Sequence, residues 1–180
     1  MFPRLLKSLF WLAVIFFALS GITPGQSPKV PEKAPRRKTI SDICLHPIGF
    51  VKHQGEKIYL EILPQYGPAL DGLSGFSHVW VLYWFHEHDN PQDRATLKVH
   101  PRRDPTNPLT GVFATRAPVR PNLIALSVCR ILKVKGNTVE VSDLDAKDGS
   151  PILDLKPYIP QGDSLPNAGT PEWVKKPKPE

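Results

Sequence analysis

The sequence predicts an all-β, mainly antiparallel fold: a small β-barrel with few short helices. Three observations predict it. Apolar residues recur every second position in several short runs, the period of a half-buried strand. Those runs are rich in β-branched and aromatic residues and are bounded by Gly, Pro and Asn clusters. No stretch reads as a helix of more than two turns. Many short strands at close spacing fit a single barrel, and a sandwich would satisfy the same pattern.

At 180 residues the chain has room for one ordinary domain. The net charge of +6 is uneven along it. Residues 1–40 carry seven Lys/Arg against one Glu, residues 41–165 thirteen against fourteen acidic residues, and residues 166–180 three against two. The basic balance therefore belongs to the tails, and a nucleic-acid partner cannot be inferred from it.

In chain order, Arg4 and Lys7 precede an apolar run over 9–19. Ala18, Leu19 and Ser20 follow with small residues before Gly21, the three-part pattern of a signal peptide. Eleven apolar residues are short for a membrane span, so residues 1–24 read as a signal peptide or an N-terminal membrane anchor. Lys29, Lys33, Arg36, Arg37 and Lys38 beyond the run would mark the cytoplasmic side if the segment stays attached. Export to the periplasm and anchoring are both open at this point. Residues 25–40 and 166–180 are Pro/Lys-rich and read as a disordered linker and tail, with Trp173 the single large apolar group of the latter.

The domain spans 41–165. Ile43 to Val51 reads as an opening strand, with a bulge at Gly49. Lys57 to Leu63 alternates, with Ile58, Leu60 and Ile62 facing inward. Ala69 to Leu73 is a short helical turn. Phe76 to His86 is the most apolar run and reads as a central strand buried on both faces. Thr96 to His100 is a short strand, Pro101 to Thr110 a loop, and Val112 and Phe113 a strand end. Leu123 to Leu132, Thr138 to Asp143 and Ile152 to Leu155 complete the set. Cys44 and Cys129 form no C-x-x-C pair. They could bridge in an exported domain, but Cys129 lies in an apolar run and reads as a buried small hydrophobe.

The chemistry concentrates in Gly111 to Ser127, GVFATRAPVRPNLIALS. Pro118 and Pro121 exclude regular structure and stiffen the loop. Arg116 and Arg120 stand at its shoulders, suited to bidentate capture of an anion or, equally, to solvation. Arg94, Lys98, His100, Arg102 and Arg103 make a basic run before it. Asp143, Asp145 and Asp148 cluster near a Gly-Ser-Pro turn, where carboxylates can accept from amines or ribose hydroxyls or simply form the turn. Asp154 and Lys156 share a strand face. His86 and His88 bracket Glu87 without a spaced third ligand, and no metal is expected. The Walker, G-x-S-x-G and H-E-x-x-H patterns are missing.

Together GFSHVWVLYWFHEH, HPRRD, GVFATRAPVRPNLIALSV and LDAKDGSPILDLKPYIP resemble the TsaA-like, or TrmO-like, tRNA methyltransferases, over about Ile43 to Pro160. The resemblance implies a small, commonly dimeric barrel that binds S-adenosyl-L-methionine without a Rossmann fold. It implies N6-methylation of threonylcarbamoyladenosine beside the anticodon of tRNA. Motif by motif it implies cofactor contacts from His86, Glu87, Arg116, Ala125, Leu126, Asp145, Ala146, Lys147 and Asp148. Substrate contacts would come from Arg120, Asn122, Lys156 and Tyr158, and no catalytic base is assigned. The pattern RSPHRPNPIG stands here as RAPVRPNLIA, so Ala117, Val119, Leu123 and Ala125 depart from it. A short Lys52 to Gly55 segment also replaces a longer cofactor-contacting loop. The alternative these departures raise is an exported or membrane-attached binding module without catalysis.

Overall fold

The computed structural model describes residues 43–175. The expected leader and linker over 1–40 lie outside the described residues. Eight strands form: β1 (Gly49–Gln54), β2 (Lys57–Ile62), β3 (His78–Trp84), β4 (Lys98–Val99), β5 (Thr110–Gly111), β6 (Ile124–Lys135), β7 (Thr138–Ser142) and β8 (Pro151–Pro157). Six of them close a barrel in the order β1-β2-β7-β6-β3-β8, with every pairing antiparallel; β4 and β5 form a separate two-stranded ribbon. Closure leaves no unpaired edge in the main sheet. The helices are short: α1 (Pro91–Ala95), α2 (Pro160–Asp163) and α3 (Glu172–Lys175).

Sequence alternation explains the wall. Val51, Leu60, Val79, Val81, Cys129, Val139, Val141 and Ile152 point inward and are 0–2 % exposed. Burying a Val, Leu or Ile side chain contributes about 1.5–3 kcal/mol before the entropy of ordering is deducted. Gly136 turns β6 into β7 at φ 55, a left-handed conformation in which glycine carries no Cβ penalty. Gly49 has a different role. A Cβ there would run into the Glu61 carbonyl oxygen across the β1–β2 pair, so only glycine lets the strands approach.

Several expectations change. Residues 43–48 carry no regular structure, and the first strand starts at Gly49. Gly49 sits in regular register opposite Ile62 and Ile152, with no bulge at that point. β3 pairs on both sides, with β6 and β8, but it is not buried on both faces. Its burial alternates strictly: Val79, Val81 and Tyr83 face in, while His78, Trp80, Leu82 and Trp84 stay half-exposed outside. A closed barrel has one interior, so an uninterrupted apolar run still shows a face to the outside. Val112 and Phe113 belong to a 3-10 turn (Val112–Ala114) instead of a strand end, with Val112 buried and Phe113 80 % exposed. The two cysteines are free, Cys44 exposed and Cys129 buried, and burial pushes the Cys129 thiol up to about 12. The C-terminal stretch 166–175 is described too. It carries α3 and packs back against the barrel's loops, where the sequence suggests a detached tail.

Candidate functional site

The β3–β6 pair and the loops beside it border a half-open cleft of about 1680 Å³. That exceeds the roughly 300–1,000 Å³ of ordinary small-ligand sites, with part of the volume open to solvent. Its lining draws on β3 and the turn after it, the Val99–Arg103 segment, the Phe113–Asn122 loop, the start of β6, the Asp143–Ser150 segment and α3.

The arginine loop is built locally. Thr115 donates its hydroxyl to the Val112 carbonyl at 3.0 Å and accepts the Ala117 N–H at 3.3 Å. Arg120 reaches back to the Ala117 and Val112 carbonyls at 3.5 and 3.4 Å. From outside, Arg94 buttresses the loop by donating to the Pro121 carbonyl at 3.0 Å while pairing with Asp89 at 2.8 Å and lying over the Trp84 ring. These bonds to Arg94 first, then that from Trp84, hold the Asp89 carboxyl below its ordinary value. Arg94 is thus committed to structure. Arg116 is exposed in the cleft and, among the described residues, makes no hydrogen bond or ion pair with protein.

The acidic segment alternates although it is not a strand. Leu144 and Ala146 are buried, and Asp143, Asp145 and Lys147 between them line the cleft. The Asp145 carbonyl accepts the Tyr83 hydroxyl at 3.3 Å, and burial raises the Tyr83 pKa. Asp148 turns away to accept the His53 N–H at 2.9 Å, which holds its carboxyl below the usual value. The His53 ring also donates to the Ala146 carbonyl at 2.9 Å. So the short Lys52 to Gly55 segment anchors the acidic segment from behind. Ser150, 2 % exposed, shares a hydrogen bond of 3.3 Å with His86 Nδ1.

The basic loop is strained. Arg102 and Arg103 have φ of 61 and 58, and Asp143 has φ of 65. These are the non-glycine residues of the described chain in the left-handed region, and all three line the cleft. Such residues cost roughly 1–3 kcal/mol each and persist where surrounding bonds over-determine them. Here Asn107, 2 % exposed, donates its amide to the Pro101 carbonyl at 3.0 Å, and its own carbonyl accepts the His100 ring N–H at 2.7 Å.

Of the residues named from sequence, the cleft brings together His86, Glu87, Arg116, Arg120, Asn122, Ala125, Leu126, Asp145 and Lys147. Ala146 and Asp148 stand behind its floor, as just described. Lys156 and Tyr158 are not among the lining residues. Lys156 pairs with Asp154 at 2.7 Å, and the Tyr158 ring packs 5.9 Å from that of Trp80. His88, beside His86, is bonded to Asp93 at 2.8 Å. Residues the sequence did not assign to a site also line the cleft, notably Tyr83, Ser150, Phe113 and Trp173. The last two left a visible sign: large aromatic groups in stretches otherwise poor in apolar residues.

Residues 44–164 match the family described as the tRNA-methyltransferase O N-terminal domain. The chain belongs to this family. A probable S-adenosyl-L-methionine-binding protein of Pyrococcus horikoshii is 40% identical over 110 residues, 61% of this chain and 78% of that protein. The tRNA (adenine(37)-N6)-methyltransferase of Homo sapiens is 44% identical over 103 residues, which cover 57% of this chain and 23% of that one. A crystal structure of TrmO from Pseudomonas aeruginosa superposes with a TM-score of 0.56 at 31% identity, over 72% of this chain and 62% of its own. The chain thus spans well under the full length of these last two relatives.

The family's departures in this chain also find their places. Leu123 is fully buried, and Ala125 is 3 % exposed opposite Tyr83 in the barrel core. Leu123 and Ala125, two of the four departures read in the sequence, are thus apolar side chains packed before any ligand arrives.

Proposed function

We propose that this domain binds S-adenosyl-L-methionine in the cleft and transfers its methyl group to N6 of a modified adenosine in tRNA. One observation carries the reading: a single cleft is lined by the uncommitted Arg116 guanidinium and by the Asp145 carboxylate. The cofactor's methionine end presents a carboxylate for an arginine, while its amino group and ribose hydroxyls suit a carboxylate acceptor. His86, fixed through Ser150, and Glu87 would supply further polar contacts. The sulfonium already carries an activated methyl group. The protein must align donor and nitrogen and exclude water, and a stiff cleft with proline-braced walls supplies that. The cleft's size supports a nucleotide beside the cofactor. Arg103, Arg120 and Asn122 would meet the tRNA there, its phosphates being drawn by the two arginines.

Calorimetry of the full chain with S-adenosyl-L-methionine tests the first half. Binding is expected, and Arg116→Ala should weaken it at least tenfold, with the melting temperature unchanged. Absence of binding to the wild-type chain removes the reading. Methyl incorporation into tRNA tests the second half.

We infer also that two copies pair. Ile124 and Leu126, on the outer face of β6, are 38% and 42% exposed at the border of the cleft, which supports a second copy packing beside the ligand site. Sedimentation showing a monomer at micromolar concentration would remove this. Among the described residues no helix is long and apolar enough to cross a membrane. The run over 9–19 fits a signal peptide first and an uncleaved anchor second; we propose the anchor, since the basic stretch after it would keep the domain on the side of a tRNA substrate. Recovery of a processed, exported form on cell fractionation would overturn that part.

A further inference from the structure

The C-terminal strap is the part of the cleft that the chemistry above leaves unused. After β8 the chain passes through α2 and returns, so that Thr170, Trp173 and Val174 line the cleft. The strap's own bonds are local: Ala168 N–H to the Leu165 carbonyl, Val174 N–H to the Pro171 carbonyl, and Lys175 to Glu172. A long-range bond ties it to the cleft, from Arg102 Nη2 to the Val174 carbonyl at 2.8 Å. Arg102 holds that position from a strained backbone, φ 61 and ψ 16. A strained residue that anchors the strap indicates that the strap's location matters.

What the strap delivers is an indole. Trp173 is half-buried and borders the same cleft as Arg103, Arg116 and Arg120. Large aromatic faces among guanidinium groups are the arrangement on which nucleobases stack, because the ring accepts the base while the cations accept the backbone or carboxylate. We propose that Trp173 is a binding wall for an adenine ring, held in place by Arg102. This inference rests on the reading of the cleft given above. Adenine occurs both in the cofactor and in the acceptor nucleotide, and the experiment separates the two.

Full-length Trp173→Phe and Trp173→Leu are titrated with S-adenosylhomocysteine and, separately, with an RNA anticodon stem-loop containing the target adenosine. Phe retains a flat aromatic face; Leu retains apolar bulk alone. Loss of one base stack predicts about a tenfold weaker affinity for Leu, and Phe should stay within about threefold of wild type. The ligand that weakens identifies which adenine is stacked. Arg102→Lys, which keeps the charge but loses the planar fork, should weaken the same ligand. Leu matching wild type on both ligands overturns the proposal. Equal losses for Phe and Leu also overturn it, since that result is shape filling without stacking. If wild type binds neither ligand, the reading of the cleft has failed and this proposal falls with it, whereas wild-type binding with an unaffected Leu variant overturns the proposal alone.

Discussion

The β1–β2–β7 side of the barrel and the loops around the cleft treat charge and backbone in opposite ways. On the wall, Lys57 bonds Glu140 across β2 and β7 at 3.2 Å, and this pairing raises the lysine's pKa. Turns there are made by glycines, which occupy φ > 0 without strain. At the cleft, Arg116 lacks a protein partner among the described residues, and left-handed backbone falls on Arg102, Arg103 and Asp143. The difference teaches where stability was spent. The wall satisfies its groups internally, whereas the cleft holds charge and strain in readiness for something that is not protein.

The comparison can be broken from either side. The largest effect belongs to the wall. Gly49→Ala drives a Cβ against the Glu61 backbone and should cost about 3 kcal/mol or more, read as lost cooperative unfolding or a sharply lowered midpoint in denaturant. A mild effect would show that β1 and β2 separate easily. Leu60→Ala follows, at about 2–5 kcal/mol for a fully buried leucine. In the cleft the sign reverses: Arg103→Gly should raise stability by roughly 0.5–1 kcal/mol while weakening RNA binding, measured by melting and by titration of an anticodon stem-loop. A destabilised Arg103→Gly would mean the loop is not strained.

Smaller effects sharpen the picture. Cys44 should react with a thiol reagent at pH 8 in the native chain and Cys129 only after unfolding, because its buried thiol stays protonated up to about 12. Two fast-reacting thiols would show that the barrel breathes. The least effect is that of acid. The folded-state pKa of Asp148 lies below that of the unfolded chain, so its bond to the His53 N–H stabilises above the unfolded carboxylate value near 4. That contribution is lost as pH falls through the folded value. Asp148→Asn should flatten the acid limb of the stability profile; an unchanged limb would place the anchoring of this segment elsewhere.

Strand identity and side-chain direction were legible wherever composition and period agreed. Leu60 and Ile62 on β2 and the long strand after Leu123 came from alternation and strand-forming composition, which are local. The stiffness of the Ala117–Asn122 loop came from its two prolines. Most of the cleft's charged residues were visible as well, through the arginine loop, the Asp-rich segment and the family resemblance. Less legible was the direction of β3. Its apolar run looks alike whether one face or two are covered, and the barrel leaves Trp80, Leu82 and Trp84 half-exposed.

By itself, the sequence determined a strand-rich domain, its turns, and a motif set that assigns it to the tRNA-methyltransferase O N-terminal domain family, because these depend on period, proline and glycine chemistry, and motif order. Only the tertiary structure decided which charges are already paired. Arg94 and Arg116 are the same residue type in similar surroundings along the chain. One is consumed by Asp89, Trp84 and Pro121 and the other is left facing the cleft. The structure also decided that Lys156 and Tyr158 fall outside the lining and that Trp173 falls within it. Strand closure and loop return set those positions, through contacts between residues far apart in the chain that no local pattern encodes.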